Sequence, residues 1–141
     1  MTKANRFRFR TWDADSECMV FTDDDTGEYY WCFDEVGMIE AYRIGEPTSD
    51  DPEDMGHSER LSDPMQSTGL TDKEGVELFE GDVLRGDLYD ARLPTMGAVT
   101  WDNENSCWSN QNDAGLTPLR RIDNITVIGN IHENPELMGE A

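Results

Sequence analysis

The sequence predicts a mainly β protein, and three observations favour this class. Apolar and polar residues alternate with period two in several short segments, whereas no long segment follows the helical period. Turn residues such as Gly, Asn and Asp recur about every ten residues between these segments. The 141-residue chain also contains four Trp, five Phe and four Tyr, which can fill the core of one domain or of one domain with a small companion.

The N-terminal part of the predicted fold, residues 1–44, contains short strands joined by polar turns. In RFRFRTW, the alternation puts Arg6, Arg8 and Arg10 on one face of a strand and phenylalanines on the other. ECMVFT is predicted as a neighbouring strand, DDDTG as a turn and EYYWCF as a further strand. MIEAYRI fits a strand or a short helix, and we favour the strand. This β region is expected to pack on the second half of the chain.

Residues 45–64 interrupt the strand pattern. The segment GEPTSDDPEDMGHSERLSDP contains three prolines, two glycines and few apolar residues. Because such a composition buries little apolar surface, it predicts a polar acidic linker or loop.

Residues 65–141 are predicted to form a small sandwich or barrel of about five strands. In GLTDKEGVELFEGDVLRG, Asp72 can accept hydrogen bonds from the backbone that follows it, and Gly75 can take a positive φ. Gly81 permits a tight turn between two strands, and Asp82 can bond the backbone of that turn. The segments MGAVTWD, CWSN and ITVIGNI supply further strands. The residues assigned to structural turns are Gly69, Gly75, Gly81, Asp82 and Gly129, and Gly86 continues the same spacing.

The net charge of −20 is the most unusual property of the composition. Residues 1–64 carry 17 acidic and 6 basic side chains, and residues 65–141 carry 14 and 5, so the acidity belongs to both halves. Direct binding to nucleic acid or to an anionic membrane is therefore not expected, because both need clustered Lys and Arg. Three cysteines without a C-x-x-C pair, and the lack of an apolar leader or membrane span, indicate a soluble protein of a reducing cytoplasm.

No segment predicts catalysis, a metal site or a cofactor. TDDDTGE resembles a calcium loop, but counting from Asp23 puts Gly27 one position before the glycine that an EF-hand loop requires. His57 and His132 have no companion ligands at zinc-binding spacing. Pairs of carboxylates are expected by chance among 31 acids, so they do not indicate acid–base chemistry.

Three features are candidates for an interaction surface. One is the arginine face formed by Arg6, Arg8 and Arg10, whose alternative role is to neutralise neighbouring acids. The second is the pair Arg120 and Arg121, with the same two alternatives. The third is tryptophan: we favour Trp101 and Trp108 as core residues, whereas an exposed pair would indicate a binding hot spot at Trp108.

Four segments, taken in order, resemble a known family. FRFRTWD, MQSTGLTDKEGVELFEGDVLR, GAVTWD and VIGNIHENPELM are similar to the YopX family of bacteriophage and prophage proteins. The resemblance implies a mostly β fold with a C-terminal half similar to an SH3-type barrel. It supplies no catalytic residues, and it implies a location in the cytoplasm of a host bacterium.

These observations favour a non-enzymatic binding protein that engages a host or phage protein, or a second copy of itself as a homo-oligomer. The alternative is an acidic decoy, whose carboxylates imitate the phosphates of DNA and occupy the basic cleft of a host nucleic-acid-binding protein. Charge reversal at Arg8 and Arg10 is expected to weaken association more than stability.

Overall fold

The computed structural model describes residues 8–24, 26–45, 49–53, 56 and 58–138. The chain is mainly β, as predicted. The described residues divide into an N-terminal unit, Arg8–Pro64, and a C-terminal unit, residues 65–138. None of the helices in these described ranges is long and apolar enough to cross a membrane.

The N-terminal unit contains a hairpin and a small antiparallel sheet. Its strands are β1 (Phe9–Asp13), β2 (Cys18–Phe21), β3 (Tyr29–Phe33), β4 (Ile39–Arg43) and β5 (Glu59–Arg60). Strands β1 and β2 pair with each other, and β3, β4 and β5 pair in that order. The buried apolar residues of this unit are Val20, Ala41 and Leu61.

The end of the segment predicted as a linker belongs to the N-terminal unit. Strand β5 pairs with β4, and the Leu61 amide donates a 2.9 Å hydrogen bond to the carbonyl of Ala41. Next to it, the Thr11 hydroxyl donates a 2.6 Å hydrogen bond to the carbonyl of Ser62. The end of this polar stretch therefore combines one buried apolar side chain, Leu61, with strand pairing.

The C-terminal unit contains a five-stranded antiparallel sheet and a separate strand pair. Its strands are β6 (Met65–Thr71), β7 (Glu77–Phe79), β8 (Asp82–Leu88), β9 (Pro94–Asp102), β10 (Cys107–Asn112), β11 (Gly115–Pro118) and β12 (Ile122–Asn130), with short 3₁₀ helices at Leu119–Arg121 and Pro135–Met138. The sheet order is β11-β10-β9-β8-β12, and β6 pairs with β7. SH3-like closure stays a prediction from the resemblance.

The core of the C-terminal unit explains why the alternating segments fold as strands. Its buried cluster comprises Leu78, Leu84, Val99, Leu119 and Ile122, with Leu88, Trp108, Ile125 and Val127 packed against it. Each side chain of this size contributes about 1.5–3 kcal/mol when it is fully removed from water. The cluster therefore supplies the main stabilising interaction of this unit.

Residues 69–86, the segment GLTDKEGVELFEGDVLRG, contain turns that carboxylates stabilise. Asp72 is buried, and its Oδ1 accepts hydrogen bonds from the amides of Glu74 and Val76 at 2.8 and 2.9 Å. Gly75 and Gly81 take φ values of +85° and +87°, which other residues rarely adopt. Asp82 Oδ2 accepts a 2.8 Å hydrogen bond from the Phe79 amide. The segment is therefore used for architecture.

Three glycines that the spacing assigns to turns lie inside strands instead. Gly69 lies in β6, where the register with β7 shifts between Ser67 and Thr71. A Cβ on Gly86 would come within 2.6 Å of Ile122 Cγ2, and a Cβ on Gly129 within 2.4 Å of Asn134 Oδ1. Close approach of neighbouring groups, rather than a turn, requires glycine at these last two positions.

Candidate binding groove

An open groove of about 540 Å³ lies on the C-terminal unit. Its size falls within the range of roughly 300–1,000 Å³ that is usual for ligand pockets. The lining residues are Gln66, Thr68, Glu80, Trp101 and Trp108. We refer to these five residues as the tryptophan groove.

Strand register brings the two tryptophans of the groove together. Trp101 on β9 lies directly opposite Trp108 on β10 in the antiparallel pair. Their ring centroids are 5.2 Å apart and their planes are inclined by 73°. Trp108 packs against the apolar core, whereas Trp101 is 43% exposed. The preferred interpretation of Trp101 as a core residue is therefore wrong. The hydrophobic cluster includes Val99 from the same strand, but Trp101 lies outside it.

The other wall of the groove comes from β6 and from the turn between β7 and β8. The Glu80 amide donates a 2.9 Å hydrogen bond to the carbonyl of Gln66, which fixes the turn beside β6. The Thr68 hydroxyl donates a 2.9 Å hydrogen bond to the carbonyl of Leu78 and accepts one of 3.0 Å from the Leu70 amide. These bonds fix the Thr68 side chain and the backbone of Glu80 in the wall.

Glu80 supplies the ionisable group in the lining of the groove. Burial raises the pKa of its carboxyl, and the hydrogen bond from the Gln66 backbone amide, 3.5 Å from Oε1, opposes this rise. Water therefore solvates this carboxylate less well than one on the open surface. A carboxylate beside two indole rings is suited to holding a ligand by charge and by apolar contact.

The structure does not present Arg8 and Arg10 as an open basic face. Arg10 is 6% exposed. The Arg8 guanidinium lies 4.2 Å from the centre of the Phe21 ring, and its Nε donates a 2.9 Å hydrogen bond to Asp23. Arg6, the third residue of the predicted face, lies outside the described residues. The pairing of Arg8 with Asp23 corresponds to the alternative role predicted for these arginines, which is to neutralise neighbouring acids.

The second basic spot lies on the 3₁₀ helix Leu119–Arg121. Arg120 and Arg121 are both exposed, and Arg121 donates a hydrogen bond to the carboxylate of Asp90. Neither arginine lines the tryptophan groove. Of the residues predicted for an interaction surface that the structure describes, Trp108 lines this groove and Arg8, Arg10, Arg120 and Arg121 do not.

Besides a smaller cleft of about 240 Å³ beside Trp12 in the N-terminal unit, two further surfaces of the described residues are open to solvent. One is a cavity of about 530 Å³ on the C-terminal unit, lined by Met96, residues 112–114 and residues 136–138. The other is the tip of the β3–β4 hairpin, where Phe33, Val36 and Met38 are exposed. Neither combines aromatic rings with a carboxylate in one cleft. His57 lies outside the described residues, and within the described part of the chain no group of three or more His, Cys, Asp or Glu could hold a metal ion.

Sequence reasoning missed Gln66 and Glu80, and it left open whether Thr68 belongs to a surface. They lie far from the tryptophans along the chain, and only tertiary packing brings them near. The available signal was the strand pairing between Trp101 and Trp108, because the NENS turn between their strands predicts that they face each other.

Comparison with known proteins gives one family, and the similar solved structures include two crystal structures. Residues 8–139 match the family described as YopX protein. The X-ray crystal structure of protein yopX from Bacillus subtilis matches with a TM-score of 0.53 at 16% identity, over 94% of this chain and 98% of that chain. The crystal structure of protein EF1440 from Enterococcus faecalis matches with a TM-score of 0.55 at 29% identity, over 93% and 96%. No curated protein matches the chain.

Proposed function

The chain belongs to the YopX family, and from this membership we propose that it is a non-enzymatic binding protein encoded by a phage or prophage. The proposed activity is to hold a segment of a partner protein in the tryptophan groove of the C-terminal unit. The partner is a host or phage protein.

The observation that carries this proposal is the exposure of Trp101 within a groove whose other indole ring is anchored in the core. Tryptophan is enriched among the residues that dominate the energy of protein interfaces, because one ring removes a large apolar area from water. An anchored neighbour also reduces the entropy lost when a partner docks. The groove therefore has the composition and rigidity of an interaction hot spot.

The chemistry of the lining favours binding over catalysis. The Thr68 hydroxyl already donates to a backbone carbonyl, so the proton on that oxygen is not held by a general base. Glu80 is the one carboxylate of the lining, and the other four lining residues supply no thiol, imidazole or second carboxyl group for acid–base or nucleophilic chemistry. These features support a binding site.

Photo-crosslinking from the groove tests the proposal. A photoreactive phenylalanine analogue at position 101 is expected to capture one defined protein in cells of the source organism, and the same analogue at exposed Tyr89 is not. The captured protein is then purified, and its affinity is measured for Trp101→Ala and Tyr89→Ala. The proposal requires a loss of roughly tenfold or more for the first variant, typical of a hot spot, and no change for the second. Equal affinities would contradict it.

The acidic decoy is the second candidate, and the charge of −20 favours it. In the described residues several arginines are already paired with acids, including Arg8, Arg43, Arg60 and Arg121. A decoy would bind through many exposed carboxylates, so its affinity would fall steeply with salt and would hardly depend on Trp101. Measuring the affinity of the captured partner at low and high salt separates the two candidates.

A further inference from the structure

The tryptophan groove places one carboxylate beside two aromatic rings. The backbone of Glu80 is fixed at the β7–β8 turn by the hydrogen bond from its amide to the carbonyl of Gln66, and its carboxylate accepts a hydrogen bond from the Gln66 amide at 3.5 Å. Glu80 lines the same cavity as Trp101 and Trp108. A cation that entered this cavity would find a partly buried counter-charge and apolar walls together.

The geometry of the two rings leaves aromatic surface open for such a cation. Their planes are inclined by 73°, so neither ring covers the whole face of the other. Trp faces carry negative charge density and attract cations within about 6 Å of the ring centre, and the attraction is stronger where water is excluded. The guanidinium of arginine suits this arrangement, because it is planar, stacks on aromatic rings and bonds a carboxylate through two parallel N–H groups.

We propose that the tryptophan groove recognises an arginine side chain in a basic segment of the partner protein. The arginine stacks on Trp101 and Trp108 and pairs with the Glu80 carboxylate. This inference rests on the proposed function and names the chemistry of its partner. Charge complementarity supports it, because a chain with a net charge of −20 attracts basic segments and repels acidic ones, including a second copy of itself.

The test uses the full chain labelled with ¹⁵N and two peptides that differ in one group. The probes are acetyl-GARAG-amide and the same peptide with citrulline, a neutral analogue of arginine of the same shape. We expect the arginine peptide to shift two of the four indole N–H signals, those of Trp101 and Trp108, assigned with Phe variants. The signals of Trp12 and Trp31, which lie in the N-terminal unit, are expected to stay in place. The citrulline peptide is expected to bind at least about tenfold more weakly, which corresponds to the loss of one charge-assisted interaction.

Two variants that remove the same charge separate recognition from general attraction. Glu80→Gln is expected to weaken binding of the arginine peptide by about tenfold. Asp113→Asn removes an exposed carboxylate just beyond β10, at the opposite end of the strand from Trp108, and is expected to change the affinity by less than about twofold. Equal losses in the two variants would overturn the inference, because they would show general electrostatic attraction.

The remaining outcomes keep this inference distinct from the proposed function. If the citrulline peptide binds as tightly as the arginine peptide, the groove still binds protein segments and only the recognition of arginine is overturned. If neither peptide shifts the two indole signals, the inference is also overturned, and crosslinking from position 101 decides the proposed function independently. If the arginine peptide displaces the crosslinked partner and the citrulline peptide does not, both are supported.

Discussion

The backbone amide of Val127 donates a 3.0 Å hydrogen bond to Oδ2 of Asp72, a carboxylate 55 residues earlier in the chain. The other oxygen of Asp72 accepts the amides of Glu74 and Val76 within its own turn. One buried side chain thus shapes the β6–β7 turn and also binds β12. In residues 69–86, Asp72 and Asp82 bind backbone amides, so these two acids are used to hold turns and strands together.

Replacing Asp72 is expected to destabilise the C-terminal unit strongly. Asp72→Ala leaves three backbone amides without this acceptor, and each unsatisfied buried group costs about 1–3 kcal/mol. Asp72→Asn keeps one acceptor oxygen, so the decrease in the free energy of unfolding is expected to be smaller. Urea unfolding followed by tryptophan fluorescence gives the free energies. Asp123→Asn, at an exposed position on β12, is the matched control and should unfold like the wild type. A stable Asp72→Ala variant would refute the role of this residue.

Adding a side chain at Gly81 is expected to cost more than adding one at a glycine with the same backbone conformation. Gly81 and Gly37 have φ values of +87° and +86°, so both alanine variants incur the strain of a positive φ, about 1–2 kcal/mol. At Gly81 the new Cβ would also come within 2.7 Å of Met65 Sδ, whereas at Gly37 nothing lies within 4 Å. Overpacking typically adds about 1–3 kcal/mol. Equal losses in urea unfolding would show that Met65 moves aside freely.

The hydrogen bond between Tyr29 and Asp13 makes the ionisation of one tyrosine unusual. The Tyr29 hydroxyl lies 2.8 Å from Oδ2 of Asp13, a carboxylate that is 1% exposed. Burial, and then the interaction with Asp13, raises the pKa of Tyr29 to about 12. Burial would raise the pKa of Asp13, but hydrogen bonds from Tyr29 and the Ser16 amide and the charge of Arg43 lower it below its ordinary value.

Removing the Tyr29 hydroxyl therefore has a pH dependence with a definite sign. Because the folded-state pKa is raised, the stabilisation is fully present below the ordinary value of 10.0 and is lost as the pH rises through about 12. Tyr29→Phe should lower the free energy of unfolding by about 1.5 kcal/mol at neutral pH. Absorbance titration should show that the tyrosine missing from this variant is one that ionises late, with Tyr89→Phe, at an exposed position, as the control for the loss of one tyrosine. A late-ionising component that persists in Tyr29→Phe would contradict the assignment.

The structure revises the expected effect of reversing charge in the predicted arginine face. Arg10 is buried, so Arg10→Glu puts an anion in place of a buried cation, and breaking a buried charge arrangement costs about 3–5 kcal/mol. Arg120→Glu, at an exposed position, serves as the control and should change the stability little. Thermal unfolding measures both. If Arg10→Glu melts like the wild type and only association changes, the original expectation from the sequence stands.

The sequence predicts the fold class well because alternation and turn chemistry are local. The turn roles of Asp72 and Gly75 involve only residues close to them in the chain, so these roles follow from residue type and spacing, whereas the bond from the Val127 amide to Asp72 depends on tertiary packing. Gly86 and Gly129 are different, because the groups that exclude a Cβ there belong to residues outside the strand that contains each glycine. A glycine required by close packing and a glycine required by a turn look the same in one sequence.

The candidate site is predicted less well, because it too depends on which residues tertiary packing brings together. The sequence indicates Trp108 as a possible hot spot. Whether Trp108 can contact a partner depends on the exposure of Trp101, which lies opposite it on β9. Glu80 is one of 31 acids, and only the packing of the β7–β8 turn beside the tryptophans distinguishes it. Likewise, period-two alternation predicts one face for Arg8 and Arg10 but does not show whether that face is buried.

The Glu80 carboxylate is expected to lower stability at neutral pH, as groups kept for binding often do. Burial raises its pKa, so the stability that depends on this group is fully present below its ordinary value of 4.5 and is lost as the pH rises through the higher folded value. Glu80→Gln removes the charge and keeps an oxygen for the Gln66 amide. Its melting temperature should exceed that of the wild type at pH 7, and the difference should disappear near pH 4.

Asp113→Asn is the control for the general relief of repulsion between acids, and the gain in melting temperature from Glu80→Gln should be the larger one. A Glu80→Gln variant that is less stable than the wild type at pH 7 would show that the carboxylate stabilises the fold. That result would contradict the view that the groove retains this charge for a ligand.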